Sequence, residues 1–379
     1  MHFSYLVTVD VPEITPNPEQ EKKTEAQIAD IQKDLKDDGS SRNIMRDIIL
    51  KELYGLRNEF AREVHRQICT VMEPYSESTE DPEYLYFEDH TDELREEYEN
   101  GTIDCIKLPE GRKVSVNNRA VFDKFIIGED GKVYQKYFGQ LKHPKRSKRA
   151  KKMVAYKDYP YKKLYKTFDD FATKEKYFDY NEEYKGYGYL YNPDAFWDWY
   201  QIGGRWPKMF LVKDTCKEYS IGERSWCNES KKYEAPEGYM WVAAARKKDI
   251  EWQAHFDWNL KKKTEFYNEL LECFQKGECP KDWYAEVTQD GIKSWGEMLY
   301  IKGETLEEFL KRYKVTEDYP YQIFPYGYLH EYDYVTEESV VMEDGKYKAI
   351  EDEDWYQKVK ALFDDSDDEK VFVGVDCHI

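Results

Sequence analysis

The sequence lacks the glycine-rich motifs that mark the commonest nucleotide-binding and hydrolase folds. Its 379 residues contain no GxxxxGKS or GxxxxGKT segment, no GxGxxG and no GxSxG. These motifs place glycines where a backbone must cradle phosphates or turn sharply beneath a nucleophile. Their absence argues against P-loop kinases, Rossmann enzymes and α/β-hydrolases, and we expect no cofactor.

Long apolar runs and paired cysteines are also missing. No apolar run approaches the roughly 20 residues that cross a bilayer, and the opening MHFSYLVTVDVPEI has no basic segment ahead of an apolar one. The seven cysteines form no CxxC pair, and their odd number suits free thiols better than a disulfide framework. We therefore expect a reduced, cytoplasmic protein with no membrane partner.

Positive charge is outnumbered, because 57 Lys and Arg face 77 Asp and Glu for a formal net charge of −20. Such a field repels nucleic acid and anionic membranes. One segment departs from it, Lys142–Lys152, which reads KHPKRSKRAKK. It is either a phosphate-backbone contact or a solvated loop that pairs with the protein's own acidic segments. We favour the loop because the surrounding field is negative, so nucleic acid is expected only through this block.

Aromatic residues are abundant, at 16% of the chain, and supply the bulk for a core beneath a surface that is 35% charged. Alternating apolar residues predict strands at 3–9 and 371–376, and spacings of three and four predict helices at 18–38 and 43–72. Turn sequences predict hairpins about 128–131, 290–291 and 343–345. TLEE at 305–308 predicts a capping box at the start of a helix.

These patterns predict an α+β fold, with a mainly antiparallel sheet in which the first and last strands are both central. Helices are expected on one face, together with a helical N-terminal insertion. The core domain is predicted to comprise residues 1–12 and 186–379. The insertion, residues 13–185, carries the hairpin and the acidic and basic loops.

The stretch YGYLYNPDAFWDWYQIGGRW, residues 187–206, is the most unusual in the chain. Trp and Tyr can line a pocket while presenting a polar tip, and a Gly pair lets the backbone turn an Arg toward them. The stretch is therefore either a ligand pocket or a core corner fixed by an ion pair between Asp198 and Arg205. In the pocket interpretation the ligand-binding residues from this stretch are Trp197, Asp198, Trp199, Tyr200, Gly203, Gly204, Arg205 and Trp206.

Four blocks together carry a resemblance to a known family. NPDAFWDWYQIGGRW at 192–206, ARKKDIEW at 245–252, DGIKSWGEM at 290–298 and VDCHI at 375–379 resemble an uncharacterised family from phages and their bacterial hosts. The chain departs from that family at Leu299, where a Gly usually follows GEM. A phage origin implies the host cytoplasm and a role in counter-defence.

Taken together, the four blocks suggest one functional site. The first block supplies Asp198, Tyr200 and Arg205, and the other three blocks supply Lys247, Glu297, Asp376 and His378. Asp376 and His378 share one face of the last strand because side chains alternate, and Cys377 points the other way. We expect Asp376, His378 and Glu297 to be catalytic, and Lys247 to bind the ligand.

A His beside carboxylates and an Arg suits acid–base chemistry on a phosphoester. A facial metal triad of Asp376, His378 and Glu297 is less favoured, because no HxH or HxxxH spacing supports it. We expect a pocket protein that binds or hydrolyses a small phosphorylated or nucleotide ligand, leaning toward a phosphodiesterase-like hydrolase. The alternative is a non-catalytic acidic inhibitor that mimics nucleic acid or covers a basic protein partner.

Overall fold

The structure is a computed structural model that describes residues 2–14, 17–35, 58–136, 146–206, 208–222, 234–281, 284–331, 333–343, 346–352 and 354–378. It divides the chain into two compact units. The first contains Met1–Glu77 and Ala195–Ile379, and the second contains Ser78–Asp194. The predicted insertion spans residues 13–185, whereas the chain leaves the first unit after Glu77 and returns at Ala195.

Helices of very different length occur along the described chain. Their bounds are α1 Pro18–Leu35, α2 Glu59–Met72, α3 Thr91–Asn100, α4 Arg119–Phe122, α5 Tyr161–Leu164, α6 Phe168–Lys174, α7 Trp252–Lys276, α8 Leu306–Arg312 and α9 Trp355–Asp365. Short 3-10 turns occupy Glu73–Tyr75, Pro82–Tyr84, Ala150–Lys152, Asp214–Tyr219 and Lys247–Asp249.

The strands are mostly short. Their bounds are β1 His2–Val9, β2 Tyr86–Asp89, β3 Thr102–Lys107, β4 Lys113–Ser115, β5 Phe125–Ile127, β6 Val133–Gln135, β7 Val154–Pro160, β8 Asp179–Asn181, β9 Gly186–Tyr191, β10 Trp199–Ile202, β11 Phe210–Lys213, β12 Ser220–Gly222, β13 Tyr239–Arg246, β14 Ala285–Thr288, β15 Gly291–Ser294, β16 Glu297–Ile301, β17 Gly327–His330, β18 Asp333–Thr336, β19 Glu338–Glu343, β20 Lys346–Glu351 and β21 Val371–His378.

An eight-stranded sheet organises the first unit. Its order is β11-β13-β21-β1-β17-β18, with β12 paired to β13 and β10 paired to β21. All of its pairs are antiparallel except β1 with β17. The α+β class and the mainly antiparallel sheet are confirmed, and the first and last strands are central neighbours, as predicted. Both are almost entirely buried, from Ser4 to Val9 in β1 and from Val371 to Cys377 in β21, as expected of strands covered on both sides.

Helices cover both faces of this sheet, where the sequence analysis expected them on one. Tyr5, Val7 and Val9 of β1 pack with α2, whose buried stripe runs from Phe60 to Met72. The opposite face, carrying Leu6 and Phe372, packs against α9 through Trp355, Val359 and Phe363. Because side chains alternate along each strand, two apolar sets on β1 and β21 require two covering layers.

The predicted helix 43–72 is described only from residue 58 onward, and residues 43–57 lie outside the described part of the chain. Asn58 caps α2 by accepting a hydrogen bond from the backbone N–H of Ala61, 2.8 Å away. The predicted helix at 18–38 is described as α1 over Pro18–Leu35, and residues 36–38 lie outside the described part of the chain. Both helices belong to the first unit.

A smaller three-stranded sheet, β14-β15-β16, packs with α7 and α8 in the first unit. The hairpin predicted about 290–291 is present, and a second turn at Trp295–Gly296 adds a third strand. The capping box at Thr305 is confirmed, since Thr305 and Glu308 bond each other's backbone N–H. The hairpin predicted about 343–345 pairs β19 with β20, although its turn lies outside the described residues.

The second unit contains two small cores. One is formed by β3, β4 and the β5-β6 hairpin about residues 128–131. The other lies among α3, α5, α6 and β9. The three-stranded sheets β4-β3-β7 and β2-β9-β8 complete this unit.

Candidate functional site

Three strands of the main sheet bring polar side chains together at one end of one face. The antiparallel register pairs His378 of β21 with His2 of β1 on one side and with Trp199 of β10 on the other. Side chains directly opposite in antiparallel strands share a face and lie close together. His2, Trp199 and His378 therefore form one row across three strands.

The two histidines each bind a carboxylate through Nδ1. Nδ1 of His2 lies 2.8 Å from Oδ1 of Asp376, and Nδ1 of His378 lies 2.7 Å from Oδ1 of Asp198. A carboxylate accepts but does not donate, so the proton of each pair lies on Nδ1. In the neutral imidazole Nε2 then carries a lone pair. Neither Nε2 has a hydrogen bond from the described residues.

The two imidazole rings are neighbours. Their centroids are 4.8 Å apart, with an angle of 65° between the ring planes. Trp199 stacks on His378 at 5.6 Å and meets His2 edge-on at 5.2 Å. The side chain of His378 is one-third exposed, whereas that of His2 is 14% exposed. The pair is thus open to solvent from the His378 side.

Asp376 is fully buried and is held on two sides. Its Oδ1 accepts from His2, and its Oδ2 accepts the backbone N–H of Arg205 at 2.9 Å. Burying a carboxylate is costly unless its oxygens are hydrogen-bonded, and this residue meets that condition with both. The position of His2 therefore depends on the turn that brings Arg205 to Asp376.

Glycines form that turn. Gly203 and Gly204 have φ of +77° and +53°, in the left-handed region that favours glycine. A Cβ on Gly204 would lie 2.3 Å from Cβ of Asp376, so no side chain fits there. Gly203 also donates its N–H to the carbonyl of Gly374 at 2.8 Å. The Gly pair turns the backbone toward the site, as predicted. The contact with Asp376 is made by the backbone N–H of Arg205 and not by its side chain.

Asp198 lies at the exposed rim. The hydrogen bond from His378 holds the pKa of the Asp198 carboxyl below its ordinary value. Its backbone N–H also donates to the carbonyl of His378 at 2.9 Å. The predicted ion pair between Asp198 and Arg205 is therefore not formed, because the carboxylate binds His378. The Arg205 side chain is exposed and has no ion pair with the described residues.

Trp197 and Tyr200 face away from the histidines. Nε1 of Trp197 donates to the carbonyl of Met72 at 3.0 Å, and the Tyr200 hydroxyl lies 3.2 Å from Sγ of Cys69. Both side chains pack against the core beneath α2, and burial raises the pKa of the Tyr200 phenol. Trp206 packs on the opposite core. The sequence predicted all of these as ligand-binding, but period two along β10 places Tyr200 on the opposite face from Trp199, and Trp197 and Trp206 lie outside β10.

Two predicted site residues lie elsewhere in the first unit. Lys247 donates through Nζ to the carbonyl of Ser366 at 2.6 Å, just past the end of α9 and before β21 begins. His378 stands at the other end of β21, about seven residues or roughly 23 Å along the strand. Glu297 is exposed in β16, within the smaller sheet. Neither belongs to the histidine row.

Sequence reasoning missed His2, Ser4 and Gln201. The sequence signal that could have identified His2 was the predicted central position of both the first and the last strand. If these strands are neighbours, their antiparallel register pairs residue 2 with residue 378. Ser4 and Gln201 flank Asp376 in that register, and Ser4 is buried. Oε1 of Gln201 is buried and accepts no hydrogen bond from the described residues.

The comparisons with known proteins are negative: no family model matches the chain, and no curated protein or solved structure matches it. Among the described residues, no three His, Cys, Asp or Glu side chains are grouped as a metal site. No helix of the described chain is long and apolar enough to cross a bilayer. The six described cysteines are free thiols, and Cys227 lies outside the described residues.

Proposed function

We propose that this protein is a hydrolase of a small phosphodiester, such as a cyclic nucleotide, and that His2 and His378 act as its acid–base pair. The observation that carries the proposal is the pair of neighbouring imidazoles, each hydrogen-bonded to its own carboxylate through Nδ1. A carboxylate in this position fixes the tautomer and stabilises the imidazolium that forms during turnover.

The chemistry requires one neutral and one protonated histidine. The neutral imidazole takes a proton at Nε2 from an attacking water, whose oxygen forms a new bond to phosphorus. The imidazolium gives its Nε2 proton to the leaving oxygen as the original P–O bond breaks. The protein ends the cycle with the two protonation states exchanged, and transfer through solvent restores them. General acid–base assistance of this kind contributes about 10²–10⁴-fold to a rate.

Neighbouring groups suit the binding of such a substrate. The Arg205 side chain is exposed and starts from a backbone position fixed by Asp376, and a guanidinium matches phosphate oxygens in geometry and charge. Trp199 is 38% exposed and offers a ring edge and face to a nucleobase.

The test is incubation with a panel of cyclic and linear nucleotides, followed by chromatography and by thermal shift, in buffer containing EDTA. We expect a hydrolysed product for at least one member of the panel. His378→Ala should then lower turnover by about 10²-fold or more with little change in ligand affinity. Arg205→Ala should weaken ligand binding while leaving stability nearly unchanged, because the side chain is exposed.

The matched control is His330→Ala. His330 lies in the same sheet and bonds the Thr8 hydroxyl at 2.8 Å, but it does not belong to the row. Its loss should leave turnover unchanged. The hydrolase proposal fails if no nucleotide is cleaved, or if His378→Ala and His330→Ala lose turnover to the same extent.

A second candidate is the acidic inhibitor, and the distribution of charge favours it. Ser78–Asp194 contains 22 Lys and Arg against 23 Asp and Glu, so the first unit carries −19 of the net −20. A surface of that charge attracts a basic partner. This role predicts salt-sensitive binding of a basic protein that survives in His378→Ala. Counter-defence in a host cytoplasm suits either candidate and rests on the resemblance to phage proteins.

A further inference from the structure

The basic block at residues 142–152 has a fixed part in the second unit. Ala150 and Met153 are buried in the core that also holds Phe125 and Val133. The Ala150 N–H donates to Oγ of Ser147 at 3.2 Å, and the Lys151 N–H donates to the Ser147 carbonyl at 3.0 Å. Residues 146–152 therefore form an anchored turn, and residues 142–145 lie outside the described chain.

The anchored turn faces the open end of the β5-β6 hairpin across a cleft of about 660 Å³. That volume is within the range of small-molecule sites in proteins. The cleft is lined by Asp123, Lys124, Phe125, Gln135, Lys136, Ser147, Lys148 and Arg149. Four cations and one carboxylate thus share one concave surface.

The cations of the cleft have no carboxylate partners among the described residues. Some lysines elsewhere in the same unit are paired, as Lys132 is with Asp130 and Lys176 is with Glu97. The register Phe125↔Gln135 sets Lys124 and Lys136 opposite each other, and the Lys136 N–H donates to the Lys124 carbonyl at 2.9 Å.

Like charges directly opposite on paired strands are destabilising unless an anion lies between them. The sequence analysis favoured a loop that pairs with the protein's own acidic segments. The described part of the block, 146–152, instead contains no cation bonded to a carboxylate.

Charge in this unit is balanced overall but separated locally. The net charge of Ser78–Asp194 is −1, so the strongly acidic field belongs to the first unit's sequence. At physiological salt a charge is screened beyond about 8 Å, so a ligand in the cleft is governed by the groups that line it. The long-range objection to phosphate binding therefore does not hold for this surface.

We propose that this cleft binds the phosphates of a nucleotide, either free or as part of an oligonucleotide. Lys124 and Lys136 supply point charges from one wall, and Lys148 and Arg149 from the other. The Arg can bond two phosphate oxygens at once, and Gln135 and Ser147 add polar groups between the charges. The site is independent of the proposed hydrolysis at the histidine row and requires no activity there.

The experiment measures binding by fluorescence anisotropy with a labelled single-stranded oligonucleotide, and by competition with ATP and with inorganic tripolyphosphate. It uses the full chain. We expect binding that weakens with salt with a slope of about 3, from four phosphate contacts at roughly 0.7 each. Competition by ATP and tripolyphosphate identifies a small polyphosphate as ligand, whereas binding of the oligonucleotide without competition identifies a strand.

The variant replaces Lys124, Lys136, Lys148 and Arg149 with Gln and should lower affinity by at least 10-fold. The control replaces the same number of exposed cations of the unit, at Lys107, Lys157, Lys163 and Lys166, and changes the net charge equally. It should lose less than 3-fold. Thermal unfolding of each variant verifies that the unit is folded, and Lys148→Gln with Arg149→Gln alone serves if the fourfold variant unfolds. Equal losses in variant and control, or no binding of any probe at 0.15 M salt, overturn the proposal.

Discussion

At the scale of single residues, the contact between Gly204 and Asp376 decides whether the site is assembled. We predict that Gly204→Ala lowers the free energy of unfolding by several kcal/mol and abolishes turnover. The added Cβ would overlap Cβ of Asp376 and displace the carboxylate from both His2 and the Arg205 N–H. Chemical denaturation and the nucleotide assay measure the two effects.

Gly238→Ala is the control for this substitution. Gly238 has φ of +82° and no atom within 4 Å of an added Cβ, so it reports only the cost of a left-handed Ala, about 1–2 kcal/mol. Activity should be retained. If the two Ala variants behave alike, the close approach to Asp376 has no special role.

His255 makes stability depend on pH. Burial lowers the pKa of His255 from 6.5 to about 4, and its ring bonds the Tyr321 carbonyl at 2.9 Å. As pH falls from 6.5 toward 4, the unfolded chain binds a proton at this histidine before the folded chain does. The stabilisation that neutral, buried His255 contributes is therefore fully present above pH 6.5 and is lost as pH falls toward 4. Between pH 7 and 4.5 we predict a loss of about 2.5 kcal/mol from this residue.

The measurement is denaturation followed by tryptophan fluorescence. All ten tryptophans lie in the first unit, so the signal reports only that unit. His255→Gln should be less stable at pH 7 but should lose about 2.5 kcal/mol less than the wild type on acidification. Parallel pH curves for the two proteins would contradict the prediction.

Among these residues, the sequence predicted Asp198, Trp199, Gly204, Asp376 and His378 as site members, and the structure places them together. It could not predict His2, because the pairing of residue 2 with 378 depends on a contact between the two ends of the chain. It also could not separate Trp199 from Tyr200 without the register, since one residue of register exchanges the two faces, or from Trp197 without knowing that β10 begins at Trp199.

At the scale of elements, Lys247 has a structural role at the end of α9. Its ammonium bonds the carbonyls of Asp364 and Ser366, which a helix leaves unpaired at its C-terminus. We predict that Lys247→Met lowers the free energy of unfolding by about 1–2 kcal/mol and leaves turnover unchanged. Lys248→Met, which removes only a pair with Glu369, should change stability by less than about 0.5 kcal/mol. Loss of turnover in Lys247→Met would contradict this structural role and support the predicted role of Lys247 in ligand binding.

Local signals predicted most elements well. The alternation in β1 and β21, the turn about 128–131 and the capping box at Thr305 each depend on neighbouring residues alone. The third strand of the β14-β15-β16 sheet was missed because its turn requires positive φ at Trp295. A tryptophan rarely adopts that conformation, so the sequence does not indicate a turn there. The second helical layer was missed because α9 and β21 meet through side chains whose face is known only in the assembled sheet.

At the scale of the whole molecule, the second unit is inserted between two points that lie close together. The Glu77 N–H donates to the Trp197 carbonyl at 2.9 Å, and the Phe196 N–H donates to the Tyr75 carbonyl at 3.0 Å. Insertions are tolerated where the ends of the host chain meet. We predict that replacing 78–194 by a short Gly-Ser linker leaves a folded first unit with hydrolytic activity and no oligonucleotide binding.

Near-UV CD, the nucleotide assay and anisotropy report the three properties of the excised protein. An unfolded product would show that the first unit needs the second for its stability. The sequence could not place these boundaries, because nothing local marks Glu77 or Ala195. Only the packing of α2 on β1 assigns residues 58–77 to the first unit.

The pH dependence of turnover, measured in EDTA for the wild type and for the two single histidine variants, tests the acid–base pair most directly. We predict a bell-shaped profile for the wild type, because one imidazole must be neutral and the other protonated. His2→Ala and His378→Ala should each remove one limb of the bell and lower turnover by about 10²-fold or more. A profile that keeps both limbs in either variant, or full turnover when both histidines are replaced, would contradict the assignment of His2 and His378.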